Sequence, residues 1–591
     1  MAERAALALR VTLIALAAAR LMLTFVPNMW AWGLNLQRFL GRGAAWGPWA
    51  LGALALVPAI GRPLDRALER AGDLIARRGR VAAFAPALLA FALAWSLPDR
   101  VRYVGDFLLR QGAVEENVAP AGVFPQALPL DALLHVTLPT AIVNAGWLRS
   151  DTIMRLIGAL EAALLAMTAA WFARALALRG AAAAAATAVV LCGGYLGMFT
   201  GYNKAFSEMV VLAAVVGVLG LGVVRERRGL AALGVTLAVA LALHRSALAF
   251  LPAVAALWIF TLTRPGAGAP RRPALLIGVA LPLATLAAVT PRILSAMRAI
   301  DVAHFAPAAA RGQSAFASAF AATRVADLLN LAVVLAPLAL AIPVLLVWVV
   351  HRSPRRLEIG WLLTLALPWV AMTAVLHPKQ GLFRDWDMVA AGGVSLSLVA
   401  AALVGETLRG ARRAGGLAAA AALAAAMPAA QWLVHFSNPA LGRARVEAYL
   451  AEAPARSGVE RGTSWDYLGT TEFNDEHWAA SARAFARAAE TAPSPRILQQ
   501  WALAETMADN LRGAQALYHR LTVMTPGNPS VWLGLAAVAS RIPDPADSRR
   551  AARELLRLHP GDSGALQILE YLDRDFPETP PPGGGSSARE P

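Results

Sequence analysis

At 591 residues, with 58% hydrophobic content and a mean hydropathy of +0.52, the chain is too apolar for a soluble enzyme and long enough for many membrane spans plus an extramembrane domain. Its net charge of +16 is uneven: residues 1–435 hold 38 Lys+Arg against 19 Asp+Glu, whereas 436–591 hold 16 against 19. The excess lies in the apolar part, as loop-anchoring arginines would give, and with no basic stripe interleaved with aromatics it points away from nucleic acid as a partner.

The N-terminus, MAERAALALRVTLIALAAARLMLTFVPN, carries Arg10 and Arg20 inside its apolar stretch and lacks a cleavage site, which reads as a retained first span. Since about 20 helical residues cross the hydrocarbon, segments of that length are the unit to count. About thirteen occur, near 7–26, 44–60, 81–97, 152–172, 181–199, 208–224, 229–243, 246–262, 274–290, 331–350, 359–376, 389–405 and 415–434. The fold class expected is therefore all-α: a polytopic membrane bundle over 1–435. Arginine clusters at 62–80, 174/179, 225–228, 264/271/272, 351–356 and 409–413 all fall on one side of such a bundle. Short basic loops stay in the cytoplasm, so the N-terminus is placed there too. Every other polar stretch then falls on the outer face. These are the loop 98–151, GYNKAFSE at 201–208, His244 with Arg245, residues 291–330, HPKQGLFRDWDM at 377–388, and everything after the last span. A single span over 229–262 would break the agreement. Cys192, the only cysteine, lies in an apolar run, so no intrachain disulfide forms.

The loop 98–151 is broken by Pro120, Pro125, Pro129 and Pro139 and is amphipathic enough to lie along the membrane as short helices. In HPKQGLFRDWDM, the residues His377, Lys379, Gln380, Arg384, Asp385 and Asp387 crowd between two apolar runs, a costly arrangement unless they face water or a ligand. Lysine is rare in this chain, with only Lys204 and Lys379 beside 52 arginines, which suggests that a compact ammonium is wanted at both places. Beyond 436–460, read as a linker, Pro493, Pro526 and Pro560 recur at near-constant spacing. Leu468, Gly469, Phe485, Ala488, Ala514, Tyr518, Trp532 and Leu535 fall at tetratricopeptide-like positions before them. Residues 461–575 are thus expected to form about three helix pairs, and 576–591 a disordered tail.

Asp106, in YVGDFLLR just past the third span, is the candidate base: a carboxylate there can take a proton from an acceptor hydroxyl or amine, or bind a divalent cation such as Mg or Mn. It can equally be an interfacial Asp paired with Arg102 or Arg110. An acidic residue early in the first large outer loop, about a dozen spans and an outer C-terminal domain together resemble glycosyltransferase superfamily C. These membrane enzymes take a sugar from a polyprenyl-phosphate carrier. The resemblance implies that Asp106 is the catalytic carboxylate. Gly105 and Phe107 stand where the family often places a second acid, which leaves metal dependence open; Glu115 and Glu116 are the nearest alternatives.

Displacing a polyprenyl phosphate calls for preorganised cations. Arg384 and Lys379 are the first choices, with Arg245, His244 and Lys204 behind them. Asp385 and Asp387 would orient the arginine or hold sugar hydroxyls, His377 would donate to phosphate, and Trp386 would stack on a sugar or simply anchor the interface. The expected activity is inverting sugar transfer on the outer face of the plasma membrane to a lipid, glycan or protein acceptor, with the repeats holding a protein partner or the acceptor. Two alternatives remain: an O-antigen-ligase-like or polymerase-like enzyme relying on outer-loop Arg and His, and a membrane scaffold with no activity.

Overall fold

The computed structural model describes residues 2–78, 80–105, 107–119, 124–263, 272–305, 314–351, 353–410, 415–542 and 544–577, in two compact units divided between Pro454 and Ala455. Regular structure among the described residues is helical; the only extended pairing is an isolated bridge between Phe305 and Pro378.

The first unit contains α1 (Ala2–Thr24), α2 (Arg42–Ala55), α3 (Pro58–Arg78), α4 (Arg80–Ser96), α5 (Ser150–Ala175), α6 (Gly180–Leu191), α7 (Phe206–Glu226) and α8 (Leu230–Leu243). It continues with α9 (Leu251–Thr263), α10 (Arg272–His304), α11 (Ala322–Leu335), α12 (Ala341–Val349), α13 (Arg356–Val375), α14 (Ala390–Gly410), α15 (Leu417–Phe436) and α16 (Pro439–Ala451). Against the thirteen apolar segments expected, eight helices among the described residues are long and apolar enough to cross a membrane: α1, α5, α7, α9, α10, α13, α14 and α15, with α9 and α14 counted together with the short turns that lead into them. The pair α2 and α3 passes the same criterion jointly but is bent by 93°, and α4, α6 and α8 are shorter apolar helices. The segment expected at 331–350 is divided into α11 and α12 around Pro337, which has no backbone donor to continue a helix. The hairpin expected over 229–262 is present as α8 and α9, joined through His244 and a 3-10 turn, Arg245–Phe250.

Charged side chains tie one end of this bundle together. Helix termini leave unsatisfied N–H and C=O groups, and here side chains from other helices satisfy them. Asp65 of α3 accepts from Gly416 N (2.6 Å) and Ala419 N (2.8 Å) at the start of α15, and Asp73 accepts from Gly180 N (3.1 Å) at the start of α6. Arg409 donates to Leu176 O (2.8 Å), and Arg225 donates to Ala175 O, at the end of α5. Glu406 pairs with Arg355 and Arg409, each at 3.3 Å, and Glu358 with Arg225 at 3.8 Å. The arginines at 225, 355 and 409 and the helix ends at 175, 180 and 416 therefore share one end. Because α7, α8, α13 and α14 run the length of the bundle, Lys204, His244, His377 and Asp387 fall at the other.

The segment 436–454, expected as part of a linker, belongs to this unit. Arg445 of α16 is buried, its guanidinium 4.5 Å from the Trp432 ring and 4.6 Å from that of Phe383, and it donates to Trp32 O at 3.0 Å. A planar cation that stacks on aromatics can be buried in this way, so an arginine in a polar-looking stretch need not mark solvent.

The second unit is a tetratricopeptide-like run of helix pairs: α17 (Gly458–Asn474) with α18 (Trp478–Thr491), α19 (Pro495–Met507) with α20 (Leu511–Met524), α21 (Pro529–Arg541) with α22 (Pro545–Leu558), and a last helix α23 (Ser563–Asp575). Ser457 caps α17, and Ser494, Asn510, Asn528, Asp544 and Asp562 cap α19 to α23, each by accepting from a backbone N–H group, which explains why the sequence breaks where it does. Phe485, Leu498, Ala514, Leu521, Leu535 and Leu555 are fully buried between the pairs. Gly469 lies so close to the Phe485 ring that a Cβ there would clash, which accounts for a glycine inside α17.

Candidate functional site

The turn after α13 and the ends of α7, α8 and α10 surround a cavity of about 280 Å³ at the end of the first unit opposite the arginine clusters. Its lining divides by chemistry. Leu248, Ala249, Met297, Ile300, Phe305, Met372, Leu376 and Met388 are apolar; Arg110, Gln126, Asp131, Lys204, His244, Arg245, Asp301, Arg384, Asp385 and Asp387 are polar or charged. Two backbone contacts close the rim: Lys379 N donates to His304 O at 2.9 Å, and Phe305 bridges Pro378.

Local structure aims each group. The 3-10 turn that interrupts the apolar run between α8 and α9 turns His244 and Arg245 into the cavity instead of toward the helix axis. Arg245 grips Asp301 of α10, Nε to Oδ2 at 3.0 Å and Nη2 to Oδ1 at 2.5 Å. The His244 ring lies 4.5 Å from that of Phe206, and its Nδ1 accepts from Ser246 N at 3.1 Å. Burial, with Arg245 beside it, pushes this imidazole well below its usual range, so it is neutral. Lys204 stands 4.0 Å from Asp387, whose carboxylate also accepts from Tyr202 Oη. Arg384 lies over the Tyr103 ring at 5.3 Å. Gly105 lines the cavity with φ +75°, a conformation that favours glycine, and a Cβ there would strike the Tyr202 ring.

A buried ionic chain runs from the cavity wall into the bundle. Arg110 clamps Asp131 through two hydrogen bonds, 2.8 and 3.0 Å; Asp131 lies 2.8 Å from His135 Nδ1; and His135 Nε2 lies 2.8 Å from Glu208 of α7. Arg110, Asp131 and His135 are all essentially inaccessible. Burial opposes both charges, but the partners win: His135 and Arg110 hold the Asp131 carboxyl well below the usual range, and Glu208 and Asp131 raise His135 to about 9. His135 sits in a π-helical stretch, Leu133–Thr137, and Asn203 donates to its carbonyl at 3.3 Å, so the segment before α5 is fixed to the start of α7 by both side chain and backbone.

Of the residues singled out from the sequence, Lys204, His244, Arg245, Gln380, Arg384, Asp385 and Asp387 meet in this cavity. Asp106 lies outside the described residues; its neighbour Gly105 lines the cavity. The other five stand outside the lining. His377 is buried, with Nδ1 2.8 Å from Val375 O and Nε2 3.2 Å from Ser318 Oγ. Trp386 is buried against Phe436, and Lys379 is half-buried beside the rim. Glu115 accepts from Ser150 and Gln111, which hold it below its usual range, and Glu116 is exposed. Asp131, His135 and Asp301 carry no signal of their own in the sequence, where Arg110 stands only as a partner for Asp106 and Glu208 only as the end of the polar stretch 201–208. Among the described residues no three His, Cys, Asp or Glu side chains converge to hold a metal ion.

No family model matches the chain, and no curated protein does. Among solved structures, one match is the crystal structure of the APC/C hetero-tetramer Cut9-Hcn1, at 11% identity and a TM-score of 0.21, over 77% of this chain and 98% of that one.

Proposed function

We propose that the chain is a membrane glycosyltransferase that moves a sugar from a polyprenyl-phosphate carrier to an acceptor on the outer, periplasmic face. The observation that supports this reading is the mixed lining of the cavity. Lys204, Arg245 and Arg384 suit a phosphate, while the apolar side chains from Leu248 to Met388 suit the first isoprene units of the lipid that carries it. A soluble sugar phosphate would have no use for so much apolar lining, and an apolar lipid none for three cations.

In the reaction proposed, Asp106 takes the acceptor proton as the acceptor oxygen or nitrogen attacks the anomeric carbon. The bond from that carbon to the phosphate oxygen breaks with inversion, and the carrier leaves as its phosphate. Arg384, Arg245 and Lys204, with Lys379 at the rim, stabilise the charge gathering on the leaving group, and neutral His244 is available to donate one hydrogen bond to it. Asp301 and Asp387 hold Arg245 and Lys204 in place, and Asp385 remains a candidate for a sugar hydroxyl. The tetratricopeptide-like unit would bind a protein partner or hold the acceptor, since stacked helix pairs offer an extended surface for such contacts.

Transfer of label from a radiolabelled polyprenyl-phosphate-sugar pool tests the reading, in membranes expressing wild type, Asp106→Asn or Arg384→Ala at matched levels of folded protein. Transfer by wild type and its loss in both variants is the expected result. Full transfer by Asp106→Asn would overturn the assignment of the base. Transfer by neither wild type nor variants, across carriers and sugars, would overturn the reading.

A further inference from the structure

The helix α3 has chemistry that sugar transfer does not require. It leaves α2 at 93° and lies across the starts of α6 and α15, to which Asp73 and Asp65 bind as caps. At about 100° of rotation per residue, its positions sort into arcs. Gly61, Gly72 and Ile75 are buried against the bundle, with the two capping aspartates along the edge of that face. Next come Arg62, Arg66, Arg70 and Arg77, all exposed, with Glu69 the exposed acid among them and Asp73 3.9 Å from Arg77. Adjoining the arginines is an exposed apolar stripe made by Ile60, Pro63, Ala67, Ala71 and Leu74, in which Ile60 is 38% and Leu74 46% exposed.

Two features name what covers this surface. The flanking helices expose large apolar side chains on either side of α3: Leu51, Leu54 and Val57 before it, and Val81, Phe84 and Leu88, at 61–70%, after it. Such side chains suit hydrocarbon and not water, so a bilayer bounds α3 on both sides in sequence. Two of the three acids of α3, Asp65 and Asp73, are also spent as caps, which leaves Glu69 alone among four exposed arginines and the outward charge positive. An apolar stripe beside a row of arginines, on a helix turned sideways where its neighbours begin, is the pattern of a helix lying in the membrane surface.

We infer that α3 is an interfacial helix. Its apolar stripe enters the headgroup boundary of the leaflet at the arginine end of the bundle, and Arg62, Arg66, Arg70 and Arg77 bind anionic phospholipid headgroups there. This surface lies at the opposite end of the unit from the cavity and stands or falls independently of the proposed reaction.

The test uses the full chain in nanodiscs of phosphatidylcholine alone or mixed with phosphatidylglycerol. It follows the melting temperature and, by native mass spectrometry, the retained phosphatidylglycerol. Wild type should gain melting temperature in the mixed bilayer and keep bound phosphatidylglycerol. The variant R62Q/R66Q/R70Q/R77Q should lose that gain and bind the lipid at least roughly tenfold more weakly. A variant carrying R174Q/R228Q, exposed arginines at the same end, should behave as wild type. An unchanged gain in the fourfold variant overturns the inference, as does an equal loss in R174Q/R228Q. If the fourfold variant also melts lower in phosphatidylcholine alone, replacing the same four arginines by lysine decides. That set keeps the charge and should keep the gain, and losing it would overturn the inference.

Discussion

The two ends of the first unit use the same side chains for different ends. At one, Arg225, Arg355 and Arg409 meet Glu358 and Glu406 and the stray carbonyls of neighbouring helices, so each of these charges finishes a helix terminus or a salt bridge. At the other, Lys204, Arg245 and Arg384 are also held, by Asp387, by Asp301 and over Tyr103, yet they border a cavity of about 280 Å³ with apolar side chains around the rest of it. Charge density alone therefore does not mark a site. What distinguishes the second cluster is a void with two chemistries in its wall.

The sharpest way to break this comparison is to remove one charge from each end. Arg384→Ala should lower sugar transfer by roughly 100-fold or more, the usual effect of deleting one preorganised donor to a developing anion, with a melting temperature near wild type. Glu406→Gln should do the reverse. It leaves Arg355 and Arg409 without their shared carboxylate, costs roughly 1–3 kcal/mol of stability, and leaves transfer per folded molecule unchanged. Turnover and thermal melts on the same preparations separate the two outcomes, and a parallel fall of both quantities in both variants would erase the distinction.

The buried chain from Arg110 to Glu208 offers a second test, because it belongs to the cavity end but is built like the structural end. Asp131→Ala strands Arg110 and His135 and should cost about 3–5 kcal/mol, read as a lower melting temperature. His135 adds a pH signature. Its folded value, about 9, lies above the ordinary 6.5, so the stability it contributes is complete below about pH 6.5 and is lost as pH rises through 9. Wild type should lose melting temperature across that window, and His135→Gln, lower at the start, should lose less. Identical slopes would mean that His135 is not charged in the fold.

Much of the cavity was legible because its residues are unusual where they stand. Lys204 is one of two lysines; His244 and Arg245 interrupt an apolar run; Arg384, Asp385 and Asp387 crowd a short turn. Three-dimensional neighbours that are unremarkable in sequence were not. Arg110, Asp131 and Glu208 come from distant segments and meet only because the segment before α5 folds back onto α7, and nothing short of the i,i+4 spacing of Asp131 and His135 hints at it. Density misled in the other direction for His377 and Trp386, which the same turn directs into side-chain contacts with Ser318 and Phe436. In the second unit the helix pairs were legible from the prolines and small residues. The membership of 436–454 in the first unit was not, since only the folded chain shows that Arg445 stacks among aromatic rings.

The smallest effects come from the second unit and set the scale for the rest. Gly469→Ala would press a methyl group against Phe485 and should cost roughly 1–3 kcal/mol, visible as earlier melting of the repeats with sugar transfer from a simple acceptor unchanged. The pair of Arg541 and Asp509, 2.8 Å apart but about half and four-fifths exposed, should matter least of all. Water screens both charges, and ordering the two side chains costs entropy, so Arg541→Ala should shift stability by no more than about 0.5 kcal/mol. If that exposed pair proved worth as much as the buried one between Arg110 and Asp131, burial would not be what gives the cavity end its rigidity.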